Sequence, residues 1–476
     1  MTDLLIYDTE ATDADKRHGQ ITQFAGIRTN LDMTVETRMD IRVRPLPWIV
    51  PTPEALAVTK MTIEQLFGDE AISEFEAAHQ IGKFLRPTYG KDRIFATYFG
   101  IEFDDELIRR TLYRNLQYAF PTTGKSATRV DMLDGVRLLH HLQPGILDTV
   151  FDEEKGRLSW RLEKICPANG IPILAHDAMG DSVALAELIR LVRRRAPWVW
   201  DNLVRCGNPA RIDAAIEDAI RKEEPLFLFT HFGKPDIVPC FPIGSDGKRR
   251  HILVDLRADE YPTDIDEALK VVGRNGTPYP IIKSNLSPIF ADREQVLQSY
   301  DFDLPALSEK ISNIKSNQEI TAVCAGIIRR QEFKTPENQT SEDRIYDGFF
   351  EGEDKTRMKR FLETPSWQER ALMHFDDVRL QDFAARIVLD AAYNGETVLT
   401  DSVYLDLEQR CSEALSRPFA GPDARWATIA SVLDRNPSQE WIDWATEYYQ
   451  MDKDWGEGVQ DSPPPAAQPK QFSFPF

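Results

Sequence analysis

Leu4-Leu5-Ile6-Tyr7-Asp8-Thr9-Glu10 is the stretch on which the reading of this chain turns. Four apolar residues in a row predict a buried strand, and side chains alternate across a strand. Asp8 and Glu10 therefore project from one face, two residues apart. Carboxylates that close repel each other, and a sheet has little use for such a pair. A divalent cation would remove the conflict, because hard metals are bound through carboxylate oxygens. Alone, an Asp-x-Glu after an apolar run is an ordinary strand end, so its meaning depends on the segments downstream of it.

Two later segments bear on it. Phe103-Asp104-Asp105-Glu106 follows the apolar stretch Ile94 to Tyr98 and opens a helical pattern through Leu107, Ile108, Leu112 and Tyr113. His176-Asp177-Ala178-Met179-Gly180-Asp181 precedes a helix with its apolar stripe at Leu185, Leu188, Ile189 and Val192, the three-and-four spacing of one helix face. Asp181 falls on that stripe, where a carboxylate needs a partner because an unpaired buried charge is expensive. Asp177 suits the N-cap of the helix. His176 by itself is a weak signal.

In this order the three segments resemble the Asp-Glu-Asp-Asp-His exonuclease superfamily, whose motifs run D-x-E, F-D and H-x4-D. The resemblance implies that Asp8, Glu10, Asp104 and Asp181 hold two Mg²⁺ ions, with Mn²⁺ able to substitute. It implies that His176 completes the catalytic set as general base, and that Glu10 also meets substrate. Two metals about 4 Å apart can activate water and stabilise the leaving oxygen of a phosphodiester displacement. A histidine titrating near neutrality can take the water's proton. Within the superfamily the chain is similar to bacterial exonuclease I over nearly its whole length. The matching pieces are Gln23 to Thr29, Phe103 to Glu106 with Tyr113-Arg114-Asn115, Arg161-Leu162-Glu163 with Ala168 to Ile171, Val254-Asp255-Leu256, and Tyr346 to Phe350. A stand-alone oligoribonuclease or ribonuclease T would lack the last two. There are departures: Ala11 stands where the family has Thr, and Phe99-Gly100 where it has Asn.

A chain of 476 residues suggests about three domains, and 42% hydrophobic with 28% charged residues is the composition of a globular protein. No stretch approaches the ~20 apolar residues of a membrane span, and the early first strand leaves no room for a signal peptide. Five scattered cysteines without C-x-x-C spacing predict reduced thiols in a cytoplasm and no zinc site. A net charge of −20 opposes nucleic-acid binding unless cations gather locally. The resemblance places Arg109, Arg137 and Arg161 against a DNA strand, with Lys283 and Asn285 as further contacts. The bland reading of Arg161 is a surface ion pair. Arg193-Arg194-Arg195 reads as a helix C-terminus favoured by the macrodipole.

The fold class is α/β in three parts. Residues 1–197 form a ribonuclease H-like exonuclease domain with a mixed sheet, from strands Leu4–Tyr7, Ile21–Arg28 and Val35–Val43 and helices Phe75–Leu85 and Asp105–Leu116. Residues 198–338 carry short strands (Leu226–Thr230, His251–Leu256, Pro280–Ile282), and resemblance implies an SH3-like domain there. Residues 340–455 are helical, with Trp441, Trp444, Ala445 and Tyr448 as core rather than base-stacking platforms. Residues 456–476 read as a Pro-rich disordered tail. It ends in Gln471-Phe472-Ser473-Phe474-Pro475-Phe476, which looks like the peptide by which bacterial repair proteins dock on the sliding clamp. Gln471, Phe472, Phe474 and Phe476 would be its anchors. Mimicry of the single-strand-binding protein's tail, or packing back on its own domain, are the other readings.

The expectation is a monomeric, metal-dependent 3′→5′ exodeoxyribonuclease that degrades single-stranded DNA to nucleoside 5′-monophosphates in repair and recombination. The resemblance adds binding of the single-strand-binding protein's C-terminal tail. The alternatives are an exonuclease preferring RNA or structured DNA ends, and a non-catalytic single-strand DNA-binding adaptor. An adaptor would have no need of all five motif residues.

Overall fold

Six strands make the first sheet: β1 (Thr2–Ala11), β2 (Ile21–Thr29), β3 (Val35–Val43), β4 (Ala71–Ile72), β5 (Asp92–Thr97) and β6 (Ala127–Asp131), in the order β4-β3-β2-β1-β5-β6. The computed structural model describes residues 2–86, 92–174, 176–230, 235–272, 276–330 and 339–449. The hexapeptide Gln471 to Phe476 lies outside the described residues. β1 runs antiparallel to β2 and parallel to β5, so the sheet is mixed, as expected.

β1 sits inside the sheet with both faces covered, which is why Leu4 to Tyr7 can be uninterrupted apolar. Leu4 and Ile6 pack in one cluster with the helices Met132–Leu142 and Ala178–Arg195. Leu5 and Tyr7 pack on the other face with the helices Glu74–Leu85 and Asp104–Arg114. Each such side chain contributes about 1.5–3 kcal/mol by burial. The strand outlasts its apolar run, reaching Ala11 through a register shift between Glu10 and Ala11.

The helix Ala178–Arg195 ends at Ala196-Pro197, as the sequence suggests. The next helix, Pro197–Cys206, turns back onto the same core through Val199, Trp200 and Leu203, and Phe227 and Phe229 also reach that cluster. The apolar core of the first sheet therefore extends past residue 197. The middle region holds a four-stranded antiparallel sheet of Leu226–Thr230, Asp236–Ser245, Arg250–Asp255 and Ile281–Lys283. Residues 289–291 add a short edge, with Phe229 N–H donating to Ile289 O at 2.9 Å and Ala291 N–H to Phe227 O at 2.7 Å.

The C-terminal region is helical around Val378–Tyr393, whose Leu380, Phe383, Val388 and Leu389 are buried. Trp441 is core, its Nε1 donating to Pro51 O at 2.9 Å. A buried ionic knot ties this region to the helix Asp104–Arg114 on the first sheet. Glu342 accepts from Arg386 and Arg417, while its backbone carbonyl accepts from Arg110 at 2.9 Å. Among the described residues no helix is long and apolar enough to cross a membrane. All five cysteines are buried and unpaired.

Candidate active site

The alternation of β1 divides its acidic end between two helices. On one face, Asp8 and Glu10 meet Asp181 from the first turn of Ala178–Arg195, and one ligand atom from each lies within 4.8 Å of the others. On the opposite face, Thr9 grips the start of the Asp104 helix. Its N–H donates to Asp104 Oδ1 at 3.0 Å and its hydroxyl donates to the same oxygen at 2.5 Å. Tyr7 donates its hydroxyl to Asp105 Oδ1 at 2.5 Å. One strand thus carries Asp8 and Glu10 and holds Asp104 and Asp105 through Thr9 and Tyr7, while the group within 4.8 Å is Asp8, Glu10 and Asp181 without Asp104.

Gathering them is costly. Burial, then the charges of Asp104, Glu10 and Asp181, drives the Asp8 pKa well above the carboxylate range. Burial pushes Glu10 up to about 8, with Asp181 and Asp104 adding to it. Burial likewise brings Asp104 and Asp181 to about 7. Asp181 Oδ1 is buried with no hydrogen-bond partner. An oxygen-only donor set, mutually repelling, with one orphaned buried oxygen, fits a hard divalent cation. These residues would hold it.

The His176 loop is built as tightly. Asp177 caps its helix, accepting from Gly180 N–H at 2.9 Å. Gly180 is obligatory, since a Cβ there would lie 2.4 Å from Leu174 O. Gln23 on β2 anchors the turn, donating to Asp177 Oδ1 at 3.1 Å and accepting from Ala178 N–H at 3.3 Å. His176 is half-buried in the left-handed region at φ 64°, its N–H 3.4 Å from Asp181 Oδ2.

The departures at Ala11 and Gly100 find local reasons. Ala11 packs into the apolar cluster with Leu5 and Tyr7. At Gly100 any Cβ would stand 2.3 Å from Asp104 Oδ2 and 2.6 Å from Thr97 Cβ. Asp104 therefore leans on bare backbone.

The arginines expected against a strand differ in disposition. The Arg109 guanidinium is committed to Asp105 at 3.3 Å and Glu106 at 3.7 Å. Arg161 is exposed, 3.4 Å from Glu163 Oε1, the bland ion pair. Arg137 is half-buried beside Asp134. Asn285 is exposed and spends its carbonyl on Arg129, and Lys283 ends the strand beside it.

Sequence reading missed Thr9 and Gln23, which hold the acids, and an aromatic cluster. Phe120 lies 6.4 Å from Tyr118, 6.1 Å from Tyr346 and 5.7 Å from Phe349, with the Arg109 guanidinium 6.0 Å above its ring. Tyr118, Tyr346 and Phe349 are exposed. The Tyr346 hydroxyl donates to Glu106, 240 positions away in the chain, and no periodicity could reveal a junction of that span.

No protein-family model matches the chain. It is 27% identical over 406 residues to the exodeoxyribonuclease I of Haemophilus influenzae, covering 79% of this chain and 83% of that protein. It is 27% identical over 402 residues to that of Escherichia coli, with the same shares covered. The fold matches crystal structures of E. coli exonuclease I. One is in complex with a dA16 oligonucleotide (TM-score 0.76, 23% identity, 94% of this chain and 99% of that one). Another is a zinc-bound single-stranded DNA complex (0.76, 22%, 94% and 98%). The fold also matches a crystal structure of SSB/exonuclease I in complex with an inhibitor (0.73, 22%, 94% and 98%).

Proposed function

We propose that this chain, which belongs to the bacterial exonuclease I family, is a metal-dependent 3′→5′ exodeoxyribonuclease that degrades single-stranded DNA to nucleoside 5′-monophosphates. The observation that carries the reading is the meeting of Asp8, Glu10 and Asp181 within 4.8 Å, with Asp104 held against the same strand by Thr9. We assign Asp8, Glu10, Asp104 and Asp181 as the ligands of two Mg²⁺ ions, Mn²⁺ substituting. When bound, the cations supply charge neutralisation for the phosphodiester and acidify the attacking water. Thr9 holds the Asp104 carboxylate in one orientation. His176, fixed by the capped turn, accepts the water's proton.

Single strands rather than duplexes suit the surface. Tyr118, Phe120, Tyr346 and Phe349 offer rings on which unpaired bases can stack, and stacking tolerates any sequence. Arg109 supports this platform, while Arg161 and Arg137 supply cations for the backbone. Local cations of this kind reconcile an acidic protein with a polyanion. The protein works as a monomer in the cytoplasm, where its five buried thiols stay reduced. It engages the acidic tail of a single-strand-binding protein, and the hexapeptide Gln471 to Phe476 a sliding clamp.

Labelled single-stranded DNA, duplex DNA and RNA, each with Mg²⁺ or EDTA, test the assignment. Stepwise shortening of single-stranded DNA from its 3′ end, abolished by EDTA, is expected. Preferential loss of RNA, or binding without hydrolysis, would replace the reading with one of its alternatives.

A further inference from the structure

The loop that delivers Asp104 carries an unexplained side chain. Phe99 is 57% exposed and sits at φ 66°, in the left-handed region that a bulky side chain rarely enters. Neither burial nor conformational preference therefore selects phenylalanine here. Such strain persists only where the surroundings impose it, and it concentrates at functional sites.

The surroundings impose it from both sides. Before it, Tyr98 is anchored inward, donating its hydroxyl to Trp160 O at 2.5 Å and packing on the main core. After it, Gly100 lies against the Asp104 carboxylate, and its carbonyl accepts from Asp105 N–H at 2.9 Å. Phe99 itself is pinned through its N–H to Asp131 Oδ1 at 2.8 Å, and Asp131 is the buried N-cap of Met132–Leu142. Three anchors hold the backbone, and only the ring is left to solvent. It emerges one residue from the glycine that touches a candidate metal ligand.

We propose that the Phe99 ring is a stacking platform for the base of the 3′-terminal nucleotide, setting how that nucleotide is presented to the carboxylates. This rests on the exonuclease reading above. A rigid apolar ring can hold any of the four bases through its π-face. An anchored backbone places it without ordering cost on binding.

The test crosses two changes. Native protein and Phe99→Ala are each assayed on single-stranded DNA with an intact or an abasic 3′-terminal residue. With native protein, removing the base should lower kcat/KM about ten- to a hundredfold, the scale of one base stack. Phe99→Ala should lose about as much on the intact strand and little more on the abasic one. Phe99→Trp should retain activity. Phe99→Gly should lose it while melting no lower than native protein, because glycine takes φ 66° without strain. That variant covers a failure of Phe99→Ala to fold. Equal proportional losses from Phe99→Ala on both substrates, or no loss on either, would overturn the stacking role while leaving the exonuclease intact. No hydrolysis by native protein would sink both.

Discussion

At the residue scale the site is a set of charges held against their own repulsion. Removing one ligand should abolish hydrolysis without unfolding the protein. Asp8→Ala and Asp181→Ala are expected to melt at or above the native temperature in EDTA while releasing no nucleotide with Mg²⁺. Measurable turnover in purified Asp8→Ala would break the metal-site assignment. The raised pKa values add a pH test. Glu10 near 8 and Asp104 and Asp181 near 7 lie above the unfolded carboxylate value of about 4. The folded, metal-free state then binds protons more tightly than the unfolded one. Its extra stability is fully present below about pH 4 and is lost progressively as pH rises from there, the loss completing through 7 to 8. Melting curves in EDTA should fall over that window, and Mg²⁺ should raise the melting temperature more at pH 8 than at pH 6. A flat EDTA profile would contradict the clustering. His176→Ala should slow hydrolysis by roughly 10²–10⁴-fold if it moves the water's proton, with single-strand binding retained. The candidate carboxylates were legible because each motif is a short run of contiguous residues. Thr9 lay in plain view inside the first motif, but its grip on Asp104 needs a contact 95 positions away, which no local pattern encodes.

At the scale of elements, β1, β2 and β3 were readable because apolar and polar residues change over within each strand and turn residues bound it. β3 matches its expected span and β2 runs one residue longer, whereas β1 extends from Thr2 to Ala11, well beyond the expected Leu4–Tyr7. The end of the Asp181 helix was readable from Ala196-Pro197. The onward packing of Pro197–Cys206 was not, because a proline marks where a helix stops and not where the next one leans. The joint with the C-terminal helices was equally hidden. It depends on Glu342, whose carboxyl is held well below the usual range against its own burial by Arg386 and Arg417. Glu342→Ala would leave two arginines buried without their counter-charge, and should destabilise the protein by about 3–5 kcal/mol, read from denaturant unfolding. With its pKa depressed, the contribution of Glu342 stands above the unfolded value and fades as pH falls below it. A loss under about 1 kcal/mol would mean the knot behaves like a surface pair.

At the scale of the whole molecule, a chain of net charge −20 must capture a polyanion, so its affinity has to come from a confined set of cations and rings. Single-stranded DNA binding should therefore weaken steeply with salt, with a slope near about −0.7 per phosphate neutralised. Arg161→Ala should reduce that slope. A salt-independent affinity would exclude a backbone-tracking groove. A separate affinity is proposed for the hexapeptide Gln471 to Phe476. After Trp455 the sequence loses its apolar periodicity and passes through Ser462-Pro463-Pro464-Pro465 before three phenylalanines in the last five residues. Pro-rich sequences favour the extended polyproline conformation, and aromatic residues serve as anchors where a preformed groove receives them. Gln471 adds the polar contact that would separate a sliding clamp from an indiscriminate apolar surface. The alternative target, a partner of the single-strand-binding protein's tail, selects for acidic residues before the terminal Pro-Phe, and here Lys470 stands before Gln471. A labelled peptide covering Lys470 to Phe476, titrated with purified clamp and followed by fluorescence anisotropy, should bind at about 10 μM or tighter, roughly −7 kcal/mol, and Gln471→Ala should weaken it. Binding that ignores Gln471→Ala, or none at that concentration, would return the hexapeptide to its other two readings.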